Sequence, residues 1–247
     1  MKKVPYILYQ CLIALPIMLV VTILCALTAI IFASLFGDGF WGWWPGRIWG
    51  RAFCRVFLIP VSIEGQEKIS DDQAYIFVAN HQSVFDILSM LGFFPHRFKW
   101  MMKKELAKIP LVGYACKCCG FIYINRTGRT SIAESMAQAD EALRQHKSIA
   151  IFAEGTRTRN GHIGTFKRGA FKLATEMNMP IVPVSLNGCY EVMARNARLV
   201  TRHPIRIIIH NPILPKDNTA AEMERLRDET RNVILSALEP QYQPQDN

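Results

Sequence analysis

The sequence predicts an α/β fold: a mostly parallel sheet flanked by helices, with an N-terminal membrane-attached helical element. Three observations predict it. From about residue 59 onward, short β-branched and aromatic runs alternate with helical patterns. Ahead of them, Val4 to Gly37 is a run of 34 residues without a charge. The chain carries 29 Lys+Arg against 20 Asp+Glu, a net +9, and residues 1–36 hold only Lys2 and Lys3 of it, so the remainder keeps 9 − 2 = +7. The basic excess therefore belongs to the folded body and favours an anionic partner.

The N-terminal run exceeds the roughly 20 residues a helix needs to cross a bilayer. It also exceeds the apolar core of a signal peptide, about 7–15 residues, so an uncleaved anchor is expected. Pro16 predicts a kink, yet Ile17 to Phe36 is still long enough to span. Gly37-Asp38-Gly39 reads as a turn, followed by Trp41, Trp43, Trp44 and Trp49, residues suited to a membrane boundary. Residues 45–58 read as an amphipathic helix. Its arginines at 47, 51 and 55 form a stripe expected to face headgroups and to favour placing the following domain on the cytoplasmic side. The alternative is an ordinary amphipathic helix packed on the domain.

The organisation expected is therefore 1–58 as membrane anchor and interfacial helix, 59–239 as the α/β domain, and 240–247 as a frayed tail. The strands predicted are Val61–Glu64, Tyr75–Ala79, Phe98–Met102, Phe121–Ile124, Ser148–Phe152, Ile181–Leu186 and Ile205–His210. Helices are predicted near 84–92, 110–119, 130–145, 169–177 and 220–238, with Ser131/Glu134 and Thr219/Glu222 as capping boxes. Pro183 argues for an edge position, or a strand start, for its strand.

Seven cysteines, an odd number with Cys11 and Cys25 in the apolar run, do not make a disulfide framework. Cys116, Cys118 and Cys119 lack a second Cys/His pair, so no metal is expected, and reduced thiols suit a domain facing the cytosol. No P-loop, G-x-G-x-x-G, G-x-S-x-G or H-E-x-x-H occurs. A soluble nucleic-acid binder has no use for the apolar run.

Two segments can carry chemistry. In Asn80–Asp86, His81 follows a strand end and is a candidate general base, with Asp86 orienting it. On one straight helix, positions five apart point about 140° apart, so His81 must precede the helix and fold back. The competing reading is Ser83-x-x-Asp86 as a mere helix cap. In Phe152–Arg157, Gly155 lets backbone N–H groups approach an anion and Arg157 can grip a phosphate. Its rival is a solvated basic loop.

Asn80–Asp86 resembles the N-H-x-x-x-x-D motif of the glycerolipid acyltransferases, the family of 1-acyl-glycerol-3-phosphate acyltransferases. Gly120–Arg126, Phe152–Arg157 (F-x-E-G-T-R) and Ile181–Val184 resemble that family's further motifs, in its order. Lys103–Leu106 with Ile109, Pro110 and Gly113, and Phe166–Ala170, resemble two of its other blocks. The likeness covers roughly residues 75–187.

The resemblance implies transfer of a fatty acyl group from acyl-CoA or acyl-acyl-carrier protein to the hydroxyl of 1-acyl-glycerol 3-phosphate, giving phosphatidic acid, with no cofactor. His81 would be the base and Asp86 its orienting carboxylate. Arg126, Arg157, Lys103 and Lys167 would hold the acceptor phosphate. Glu154 would position the glycerol or order the arginines, and Gly155 and Thr156 would offer backbone to an anion. The partners implied are the lysophospholipid, the thioester donor and membrane lipid. Two alternatives stay open: glycerol 3-phosphate or another lysolipid as acceptor, and a non-catalytic lipid or phosphate binder.

Overall fold

The computed structural model describes residues 3–124 and 129–243, the side chains of 3 and 129–132 excepted. Among the described residues seven strands form one sheet: β1 Val61–Glu64, β2 Ile76–Ala79, β3 Phe98–Lys103, β4 Ile122–Ile124, β5 Ser148–Phe152, β6 Ile181–Asn187 and β7 Ile205–Ile209. Their order is β1-β7-β6-β2-β5-β3-β4. Every neighbouring pair is parallel except β6 with β7.

Central strands buried on both faces read as unbroken apolar runs, and all seven residues of β6 are buried. Alternate residues of β2 feed opposite cores. Phe77 and Ala79 pack on the layer of α3 (Trp44–Val56) and α4 (Val84–Phe93). Ile76 and Val78 pack on the layer of α6 (Arg129–Arg144), α7 (Gly169–Met177) and α9 (Ala220–Ser236).

The N-terminal run folds as α1 (Lys3–Tyr9), a π-helical turn (Gln10–Ala14) and α2 (Leu15–Phe36). The expected kink takes the form of that π turn, where Leu15 N–H donates to Gln10 O just ahead of Pro16. The run is not a free-standing anchor. Ala14 and Met18 join the same core as Phe77 and Phe85. Tyr6 and Tyr9 donate to the carbonyls of Phe57 and Val56. Gln10 is buried and makes a pair of 2.9 Å bonds with the backbone of Val200. At the far end, Asp38 pairs with Lys99 (2.8 Å) and Lys147 (3.0 Å). The other face of the run, from Val4 through Leu12, Leu19 and Leu24 to Phe36, stays exposed.

Helix α3 packs on α4 with almost no separation. A Cβ on Gly50 would lie 2.4 Å from the carbonyl oxygen of Leu88, and one on Gly92 would lie 2.7 Å from the amide of Arg51. The expected arginine stripe is in part tied to the domain. Arg47 Nη1 donates to Phe94 O and Arg51 Nε to Gly92 O, so two of the three arginines cap the carbonyl end of α4. Arg55 is exposed.

Three further expectations change. Pro183 lies in an interior strand. Its ladder with the chain after β7 is interrupted between the Ile181–Ile213 bridge and the Val184–Ile209 pair, where its missing N–H has no ladder partner to lose. Ser131 lies inside a helix already running from Arg129, whereas Thr219 does cap α9, accepting from Glu222 N. The tail is docked as far as Gln243: Tyr242 is buried, its hydroxyl meets Glu191, and Gln243 O lies 2.7 Å from His162 Nδ1. Residues 244–247 lie outside the described part.

Candidate active site

The β2–α4 loop leaves the carboxyl end of β2, where α/β sheets bind ligands. Ser83 is the N-cap of α4, in extended conformation, and Asp86 completes a capping box. That turn folds His81 back over the helix start. Asp86 Oδ2 accepts from Gln82 N at 2.6 Å and Ser83 N at 2.7 Å, and lies 2.7 Å from His81 Nδ1. The cap and the catalytic pairing are thus one arrangement rather than rivals. Asp86 is fully buried, while 13% of the His81 side chain is exposed.

A carboxylate beside Nδ1 fixes the Nδ1–H tautomer and leaves Nε2 as the free base. The imidazole stacks on Phe152 at 3.9 Å, and Phe152 stacks on Trp100. Nε2 has no protein partner among the described residues. Asn80 locks the strand beneath, exchanging two 2.9 Å bonds with the backbone of Leu186 in β6.

The loop after β5 closes on this one. Glu154 Oε1 accepts from His81 N at 2.7 Å and Oε2 accepts from Gly164 N at 2.9 Å. Thr158 N donates to His81 O, and Gln82 Nε2 to Gly161 O. Burial raises the pKa of Glu154, opposed by these amide bonds and by His81. Each carboxylate oxygen accepts from a backbone amide, so Glu154 holds the histidine loop, and it pairs with no arginine among the described residues.

A cleft of about 470 Å³ opens over His81, lined on one side by Val84, Ile87, Met102 and Leu106 and on the other by Gly155, Thr156 and Arg157. Gly155 sits at φ +74°, a left-handed turn that suits glycine. Lys103 also lines the cleft, exposed and paired with Glu105 at 3.1 Å. Lys167 does not. Its side chain is exposed and lines neither the cleft nor the adjoining groove, because its backbone N–H is tied to Ala153 O where the loop returns to β5. Arg126 lies outside the described residues; the strand leading to it, β4, ends at Ile124 in the cleft wall.

One residue escapes sequence reasoning. Arg195 lines the cleft and donates Nη1 to the carbonyl of Arg157 at 3.1 Å. Its segment is fixed by Ser83 Oγ, which donates to Met193 O at 2.6 Å. It follows no motif, and its one sequence signal is being a cation just after a short buried helix, α8 (Cys189–Val192).

Fold and site together define an α/β domain with a buried aspartate paired to a histidine in a cleft that Arg157 and Arg195 also line. A family model described as Acyltransferase matches residues 60–187, just over half of the chain. The chain belongs to the Acyltransferase family. It is 30% identical over 194 residues to a chloroplastic 1-acyl-sn-glycerol-3-phosphate acyltransferase of Brassica napus, covering 78% of this chain and 54% of that one. It is 31% identical over 182 residues to the human 1-acyl-sn-glycerol-3-phosphate acyltransferase alpha, covering 73% and 64%. The chain spans between about half and two thirds of the length of these curated relatives. The crystal structure of the 1-acyl-sn-glycerophosphate acyltransferase PlsC of Thermotoga maritima superposes with a TM-score of 0.79 at 26% identity, covering 95% of both chains.

Proposed function

We propose that the protein transfers a fatty acyl group from an acyl thioester to the free hydroxyl of 1-acyl-glycerol 3-phosphate, giving phosphatidic acid. The observation that carries the reading is the His81 Nδ1–Asp86 Oδ2 contact of 2.7 Å, with Nε2 free beside Arg157. His81 Nε2 takes the hydroxyl proton as the oxygen attacks the thioester carbonyl, and Asp86 stabilises the imidazolium that forms. As the tetrahedral intermediate collapses, the C–S bond breaks and the imidazolium returns the proton to the departing sulfur. No acyl-enzyme is required, because the thioester is already activated. Arg157 and Arg195 face the acceptor phosphate, joined by Arg126 and Lys103 on the strength of the family motif.

The exposed apolar face of α1 and α2 attaches the enzyme to membrane. Because both ends of that run are tied to the domain, it lies along one leaflet instead of crossing it. The acceptor then stays in lipid while acyl-CoA or acyl-carrier protein arrives from the cytoplasmic side. The test is a radiolabelled acyl-CoA assay against lysophosphatidic acid, glycerol 3-phosphate and lysophosphatidylcholine. Preference for the first supports the reading, and equal use of all three overturns the acceptor assignment. A high-salt wash of membranes should leave the protein bound, since salt screens charge but not apolar insertion.

A further inference from the structure

At the other end of the sheet, where β3 and β5 begin, a cavity of about 590 Å³ opens between the end of α2, the start of α3 and the 146–148 turn. It shares no lining residue with the catalytic cleft. Its wall carries Arg47, Arg51, Arg97, His146 and the Lys99–Lys147 pair, against two acids, Asp38 and Asp71. Asp38 is already taken by the lysines, at 2.8 and 3.0 Å. Arg47, Arg51 and Arg97 meet no carboxylate among the described residues.

Arg47 and Arg51 are held side by side by single bonds to the carbonyls of Phe94 and Gly92, which leaves the remaining N–H groups of both forks for an anion. Burial and the like charge of Arg51 lower the pKa of Arg47, the mark of two cations without a counter-ion. Trp43 and Trp44 also line the cavity, and the exposed Phe40 packs on Trp44 at 5.6 Å. Cations beside tryptophans suit a ligand with a phosphate head and acyl chains. Adjacent arginines repel an ammonium, which disfavours a zwitterionic head.

We propose that this cavity is a second lipid site, distinct from the acyl-transfer centre, which binds the phosphate headgroup of an anionic membrane phospholipid and holds the α2–α3 corner to an anionic surface. The proposal rests on the membrane attachment inferred above, and the experiment separates the two.

Purified full-length protein is sedimented with phosphatidylcholine vesicles and with vesicles containing about one fifth phosphatidylglycerol, at physiological ionic strength. Retention on phosphatidylcholine alone reports attachment; the gain on adding phosphatidylglycerol reports the site. Arg97→Gln and Arg51→Gln should each cut that gain about fivefold, the effect of removing one cation near an anionic surface. The Arg97 side chain is exposed and makes no bond among the described residues, so its variant should fold even where Arg51→Gln weakens the α4 cap. Arg157→Gln should keep the gain; its loss there would place the lipid in the catalytic cleft and overturn the proposal. An equal reduction in Arg55→Gln would reveal diffuse attraction and also overturn it. So would competition by millimolar inorganic phosphate, which would indicate a free-phosphate site. Failure to bind either vesicle would overturn attachment and this site together.

Discussion

Asp86 Oδ2 sits 2.7 Å from His81 Nδ1 while it caps α4 through the amides of Gln82 and Ser83. One atom therefore serves both fold and chemistry, and two substitutions separate them. Asp86→Asn keeps an oxygen for the amides but loses the charge that stabilises the imidazolium. Turnover should fall about 10²–10⁴-fold with little change in Tm. Asp86→Ala also removes the cap, about 0.5–2 kcal/mol of stability, so Tm should drop as well. His81→Ala should cost at least about 100-fold in kcat with an unchanged melting curve. Near wild-type turnover in His81→Ala would sink the general-base assignment.

The contact between Arg195 and the carbonyl of Arg157 makes a prediction about KM. Loss of either guanidinium removes a charge-assisted hydrogen bond worth about 1.5–3 kcal/mol. Steady-state titration of lysophosphatidic acid at saturating donor should show kcat/KM lowered about tenfold or more in Arg157→Ala and Arg195→Ala. Arg157→Lys should stay impaired, since a point charge does not reproduce the planar fork. Arg159 is exposed and absent from the cleft wall, so Arg159→Ala should change little. Equal small effects at 157, 159 and 195 would show diffuse attraction only.

Gln10 is the polar tie between the apolar run and the segment that carries Arg195. Gln10→Leu leaves the amide and carbonyl of Val200 buried without those partners, at about 1–3 kcal/mol. In a chain of this size each kcal/mol lowers Tm by about 2–4 °C. Differential scanning calorimetry in detergent should show that drop, and an unchanged Tm would mean the helix does not rest on the domain as described.

His210 lies 2.8 Å from Ser185 Oγ, and burial, with a smaller contribution from Lys68, lowers its pKa from 6.5 to about 4. Between those values the unfolded chain holds a proton that the folded chain declines. Stability therefore falls as pH drops through that window and rises again with pH. His210→Gln keeps a polar contact and removes the titration. Its Tm should decline less than wild type between about pH 6.5 and pH 4, and a parallel decline would assign the acid sensitivity elsewhere.

The chain's own pattern made much of this legible. The seven strands and the main helices lie within a few residues of the predicted spans, because β-branched runs and apolar periods are local signals. His81, Asp86, Gly155 and Arg157 were legible because motif and strand end coincide. Lys167 sits two residues before a motif glycine yet turns to solvent, which spacing alone does not reveal. Nothing in F-x-E-G-T-R announces that Glu154 accepts from the backbone amides of His81 and Gly164.

The sequence by itself determined the elements, the apolar N-terminal run, the basic balance and the residues of the dyad, all carried by neighbours within a few positions. Only the tertiary structure decided the strand order β1-β7-β6-β2-β5-β3-β4, the packing of the apolar run on the sheet domain, the use of Arg47 and Arg51 to cap α4, and the recruitment of Arg195. Each of these is a contact between residues far apart in the chain. Its partner is selected by which apolar faces must be buried together and which backbone groups are left unbonded, and no short stretch of sequence encodes that choice.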